Sequence, residues 1–140
     1  MQLGRNVKIT KVIAAQSATT DTQNGSELDM TGFDGVLFVG GAMGTANSGN
    51  YFHIEQDTET GMSSAADLEG TKIIPSTSTY GIKVDLYRPL ERFVRIVAIR
   101  GASSTLGDVY AIQYGASKDP QTDATGIESE FHYSPDEGTI

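Results

Sequence analysis

The stretch Asp85-Leu-Tyr-Arg-Pro-Leu-Glu-Arg-Phe-Val-Arg-Ile-Val-Ala-Ile-Arg100 decides the fold. Leading into it, Tyr80, Ile82, Val84 and Leu86 recur at every second position, the period of a half-buried strand. Pro89 cannot donate to a ladder and marks a corner. Residues 93–99 then form the most apolar strand of the chain. Four arginines, Arg88, Arg92, Arg95 and Arg100, are threaded through this unit of an otherwise acidic protein. A β-scaffold thus carries a row of fixed cationic forks.

The same alternation extends outward. Residues 5–15 supply a first strand through Val7, Ile9, Val12 and Ile13, and residues 35–41 are a short apolar run readable as a strand buried on both faces. Residues 51–56 place Tyr51, His53 and Glu55 on one face and Phe52 and Ile54 on the other. Residues 72–74 start another strand, halted by Pro75, and residues 108–114 form the last. The polar segment 16–26, closing on Asn24-Gly25, reads as a turn region, and the Gly-rich segment 40–49 as a loop. Ser63-Ser-Ala-Ala-Asp-Leu-Glu-Gly70 reads as one helical turn, capped by Ser63 or Ser64 and stopped by a left-handed Gly70. The prediction is an all-β fold over residues 1–116: an antiparallel β-sandwich or jelly-roll of seven to eight strands with one short helical turn. After Gly115 the apolar density collapses, and residues 117–140 are predicted as an acidic, extended arm anchored by Phe131, Tyr133 and Ile140.

Composition narrows the function. The chain has 140 residues, enough for one domain with a real core. It has no cysteine, which excludes disulfides and thiolate metal sites. No apolar run approaches a membrane span and residues 1–5 lack a signal-peptide core, so a soluble protein made in the cytoplasm, with no membrane partner, is expected. Of the net charge of −8, the segment 118–140 carries −5. An acidic tail argues against nucleic-acid binding, which demands clustered Lys and Arg.

The motifs that carry chemistry are sparse. His53 beside Glu55 is one imidazole and one carboxylate, short of a ligand set, and His132 lies in the tail. Asp57-Thr-Glu-Thr-Gly61 lacks the third acidic position and closing glutamate of a calcium loop and reads as a turn. Gly40-Gly-Ala-Met-Gly44 follows a strand but lacks the Lys-Ser/Thr of a phosphate loop. No catalytic residue, cofactor or metal is assigned. Alternation puts Arg95 on the face of Phe93, Val97 and Ile99, where an arginine is costly unless paired. Two readings stand: an intramolecular bridge to Asp85 or Glu91, or an interface arginine that meets carboxylates of a partner. Arg88, beside the corner proline, is better placed for exposure.

Three stretches are familiar in combination: Met30-Thr-Gly-Phe-Asp-Gly-Val-Leu-Phe-Val39, Ala65-Ala-Asp-Leu-Glu-Gly-Thr71, and Tyr87-Arg-Pro-Leu-Glu-Arg-Phe-Val-Arg95 continuing to Ala111-Ile-Gln-Tyr-Gly115. With the closing Ser134-Pro-Asp-Glu-Gly-Thr139, the chain from about residue 28 onward resembles the capsid decoration (cement) proteins of tailed bacteriophages. The resemblance implies a β-sandwich on the outer surface of the expanded head, partnered by the major capsid protein and clamping its subunits, often as a homodimer or homotrimer. Arg88, Arg92, Arg95, Phe131 and Tyr133 are the expected capsid or subunit contacts, and the first strand adds to that surface. The alternatives are a carbohydrate- or receptor-binding β-sandwich that stacks ligands on Tyr51, Tyr80 and Tyr110, and a cupin-type enzyme, against which the lack of a histidine cluster argues.

Overall fold

A computed structural model of the chain describes residues 2–75, 80–118, 121–134 and 137. After a 3-10 turn at Leu3–Arg5, the described residues form nine strands: β1 (Lys8–Ile13), β2 (Gln16–Asn24), β3 (Leu28–Asp29), β4 (Gly35–Gly40), β5 (Asn50–Asp57), β6 (Ala66–Asp67), β7 (Ile82–Tyr87), β8 (Phe93–Leu106) and β9 (Val109–Tyr114). One sheet runs β1-β9-β4-β7, and the other runs β2-β8-β5-β6 with β3 also on β8. All pairings are antiparallel and nested: β1 with β9, β2 with β8, β4 with β7, β5 with β6. That is one long hairpin folded over itself into two sheets, the jelly-roll arrangement.

The core lies between the sheets because inward positions alternate along the strands. Val36 and Phe38 of β4 with Val109 and Ala111 of β9 face Phe52 and Ile54 of β5 and Val94, Ile96 and Ala98 of β8, all essentially without solvent contact. Burying each large side chain of this set contributes about 1.5–3 kcal/mol. Met43, carried inward by the 40–49 loop, bridges Leu106 and is 1% exposed, so that loop also plugs one end of the core.

Five expectations need correction. Residues 72–74 form no strand: Ile73 makes only an isolated bridge to Phe52. The polar segment 16–26 is not a turn region: it holds the nine-residue β2, paired to β8 along an edge. The helical turn at 63–70 is absent. Ala66 and Asp67 pair with Gln56 and Glu55, the Leu68 amide bonds the Ile54 carbonyl, and the Ser64 amide goes to Asp57 Oδ2. That segment has almost no apolar side chain to support a helix face, so sheet pairing wins. Gly70 does take the left-handed conformation, at φ 76°. Tyr80 does not share the inward face of β7: it precedes the strand and is 96% exposed. Finally, β4 is buried on one face only, since Leu37 and Val39 are half-buried.

Beyond β9 the chain turns back at Gly115, whose φ of 66° and 2.5 Å Cβ approach to Asp34 leave room for glycine alone. It then lies against the N-terminal segment. The Gln121 amide bonds the Arg5 carbonyl, the Ala124 amide bonds the Ile9 carbonyl, and Asp123 Oδ1 accepts the Ile9 amide at 2.7 Å. The otherwise open edge of β1 is thereby covered. Ile140 and most of the 134–139 stretch lie outside the described residues. Among the described residues no helix is long and apolar enough to cross a membrane.

Candidate functional site

The corner between β7 and β8 is an exposed, irregular feature of the described chain that carries charge. Tyr87 ends β7 at 57% exposure and Leu90 stands out at 92%. Between them Arg88 is held at φ 52°, a conformation that an arginine before a proline resists. Its amide donates to the Asp34 carbonyl at 2.7 Å, which fixes the bend. The corner overhangs an open cleft of about 420 Å³ whose walls include Met30, Phe33, Arg88, Leu90 and Arg92.

The four arginines have different surroundings. Arg92 grips Asp29 with both arms, Nε to Oδ1 at 3.1 Å and Nη2 to Oδ2 at 2.8 Å. These bonds hold the Asp29 carboxyl well below the usual carboxylate range. Arg95 Nε meets Glu55 Oε2 at 2.6 Å with both side chains largely shielded. The bridge is intramolecular, but its partner is neither Asp85 nor Glu91. Antiparallel register puts Glu55 directly across from Arg95, while Asp85 accepts the Tyr114 hydroxyl at 2.6 Å. Arg100 is the buried one, with its side chain fully enclosed. Arg88 alone of the four has only an aromatic contact among the described residues, its guanidinium 5.3 Å from the centre of the Tyr87 ring.

The arm brings Phe131 under the Arg5 guanidinium at 5.1 Å and against Gly4, while Gln2 Nε2 donates to the His132 carbonyl. Phe131 is therefore a contact within the chain at 38% exposure, whereas Tyr133 remains 84% exposed. Tyr51 and Tyr110 lie on the outer faces of opposite sheets, each beside a lysine (Lys72 at 4.0 Å, Lys11 at 5.8 Å), so the three tyrosines form no common stacking platform.

A second cluster sits on the outer face of the β5 sheet. His53 Nε2 is 3.3 Å from Glu55 Oε1 and 3.1 Å from Asp67 Oδ1. Asp67 joins because β6 pairs beside Glu55. Sequence reasoning missed it by placing Asp67 in a helical turn; alternation on β5 alone found the other two.

Comparison with protein-family models, with curated proteins and with solved structures returned no match to this chain.

Proposed function

We propose that this chain is a structural virion protein, a decoration or cement protein. It binds the outer surface of the expanded phage head and ties neighbouring major capsid subunits together, against the outward pressure of packaged DNA. The sequence resemblance supports this reading, and so does the character of the Tyr87–Leu90 corner, which is the observation that carries it. A backbone conformation that disfavours arginine is kept at an exposed position, next to a protruding leucine and a half-exposed tyrosine. Strain of this kind persists only where the surroundings over-determine it, and such sites cluster where a protein does its work. Arg and Tyr are also among the residue types enriched at interface hot spots, and Leu90 adds exposed apolar area beside them.

On this reading Arg88 meets acidic groups of the capsid and Leu90 enters an apolar recess. Arg92 and Arg95 support the surface by holding Asp29 and Glu55 rather than by reaching outward. Tyr133 is available for a neighbouring copy in a dimer or trimer. Each copy that spans two capsid subunits gains avidity from the fixed lattice, so a single contact need not be strong. The test is heat challenge of expanded heads with and without the protein: decorated heads are expected to retain DNA to a higher temperature, and unchanged release would count against the proposal.

A further inference from the structure

We propose that His53, Glu55 and Asp67 form a binding site for a divalent first-row transition-metal ion on the outer face of the β5 sheet. The three offer one imidazole nitrogen and two carboxylate oxygens, and these donor atoms lie within 4.8 Å of one another. An ion about 2.1 Å from donors spaced as Nε2 is from Oε1 and Oδ1 sees them at roughly 95–104°, between the tetrahedral and octahedral angles. Convergence on a single Nε2 is also unbalanced without a cation. One N–H cannot fully serve two carboxylates, and among the described residues only Glu55 of the two has a Lys or Arg partner, Arg95.

Arg95 has a further part. By taking Glu55 Oε2 at 2.6 Å it turns Oε1 toward His53, as outer partners orient the ligands of metal sites. Asp67 is 77% exposed at its side chain, which leaves an entry path and open positions for water. The mixed nitrogen and oxygen set favours Zn²⁺, Co²⁺ or Ni²⁺ over Mg²⁺ or Ca²⁺. His53 Nδ1 is buried and has no hydrogen-bond partner among the described residues. The ring thus lacks the acceptor that accompanies tight sites, which lowers the affinity by about ten- to a hundredfold relative to a site that has one. A bound ion would pin the two-residue β6, and with it the segment 58–72, to β5.

The experiment is calorimetric titration of the metal-stripped full chain with Zn²⁺, with Co²⁺ absorption bands as a second readout. One Zn²⁺ per chain is expected, not displaced by millimolar Mg²⁺. Asp67→Asn changes an exposed side chain, leaves the fold intact, and is expected to weaken Zn²⁺ by about tenfold or more. His53→Gln is expected to abolish binding and the Co²⁺ bands, with circular dichroism reporting that the sheet persists. His132→Ala, at the other histidine, should change nothing. Equal Zn²⁺ affinity in wild type, Asp67→Asn and His53→Gln, loss of binding in His132→Ala, or no binding by the wild type would overturn the proposal.

Discussion

Arg100 and Asp21 are joined twice, Nε to Oδ1 at 2.8 Å and Nη2 to Oδ1 at 2.7 Å, and the guanidinium that makes these contacts is fully enclosed. The reason lies in the β2–β8 ladder. Between the pairs Asp21↔Arg100 and Thr19↔Ser104, β8 contains two more residues than β2, so the ladder is interrupted. Arg100 Nη1 takes the carbonyls of Ser17 and Ser104, and Nη2 reaches Gln16 Oε1. One side chain thus serves main-chain acceptors at the irregularity. Arg100→Met should destabilise by about 3–5 kcal/mol, because it leaves those acceptors and Asp21 without their donor. Arg100→Lys, without the fork, should lose about 2 kcal/mol. Urea unfolding measures both, and a loss below about 1 kcal/mol for Met would contradict this account.

Stability should fall at both ends of the pH scale, for opposite reasons. The Arg92 fork holds Asp29 far below its ordinary value, and the Glu59 and Ser64 amides lower Asp57. Both groups have folded values below their unfolded ones. Their stabilisation is therefore present above about pH 4 and lost as pH falls through the folded values. Tyr114 goes the other way: burial, then the hydrogen bond to Asp85, pushes it up to about 12. Its stabilisation is present below about pH 10 and is lost as pH rises toward the folded value. Urea midpoints against pH should show a shallower acid limb in Asp29→Asn. Tyr114→Phe should lose the phenolate absorbance step near pH 12. Curves superimposable on wild type would contradict the assignments.

The arm should act as an edge cover. Asp123→Ala removes the acceptor of the Ile9 amide and is expected to cost about 1 kcal/mol. Truncation after Ser117 uncovers the β1 edge altogether and should promote self-association. Sedimentation velocity checks this, with a monodisperse, equally stable truncated chain as the contrary result.

The legible parts of the fold were those where one face of a strand is apolar. Strands β5 and β7 announced themselves in this way, residues 93–99 of β8 were legible as an apolar run while its continuation to Leu106 was not, and Phe52 and Ile54 share the buried face as expected. Strand β2 did not, because the side chains that might mark its inner face, Gln16 and Asp21, are polar and are satisfied by Arg100. Strand β6 is two residues long and exists only through its pairing with β5, a tertiary fact with no local signal. Asp67 was hidden from the His53 cluster for the same reason. The partner of Arg95 needed the cross-strand register, which alternation within one strand does not supply. The course of the arm is set by main-chain bonds to Arg5 and Ile9 rather than by side-chain pattern.

The central claim is capsid binding through the Tyr87–Leu90 corner. Co-sedimentation of the purified chain with empty expanded phage heads, assembled from a major capsid protein, tests this most directly. Saturable binding at a fixed ratio to capsid subunits is predicted for wild type. Arg88→Glu with Leu90→Asp should weaken it at least tenfold, since both side chains are exposed and the fold survives their loss. No binding by the wild type, or undiminished binding by the double variant, would contradict the account.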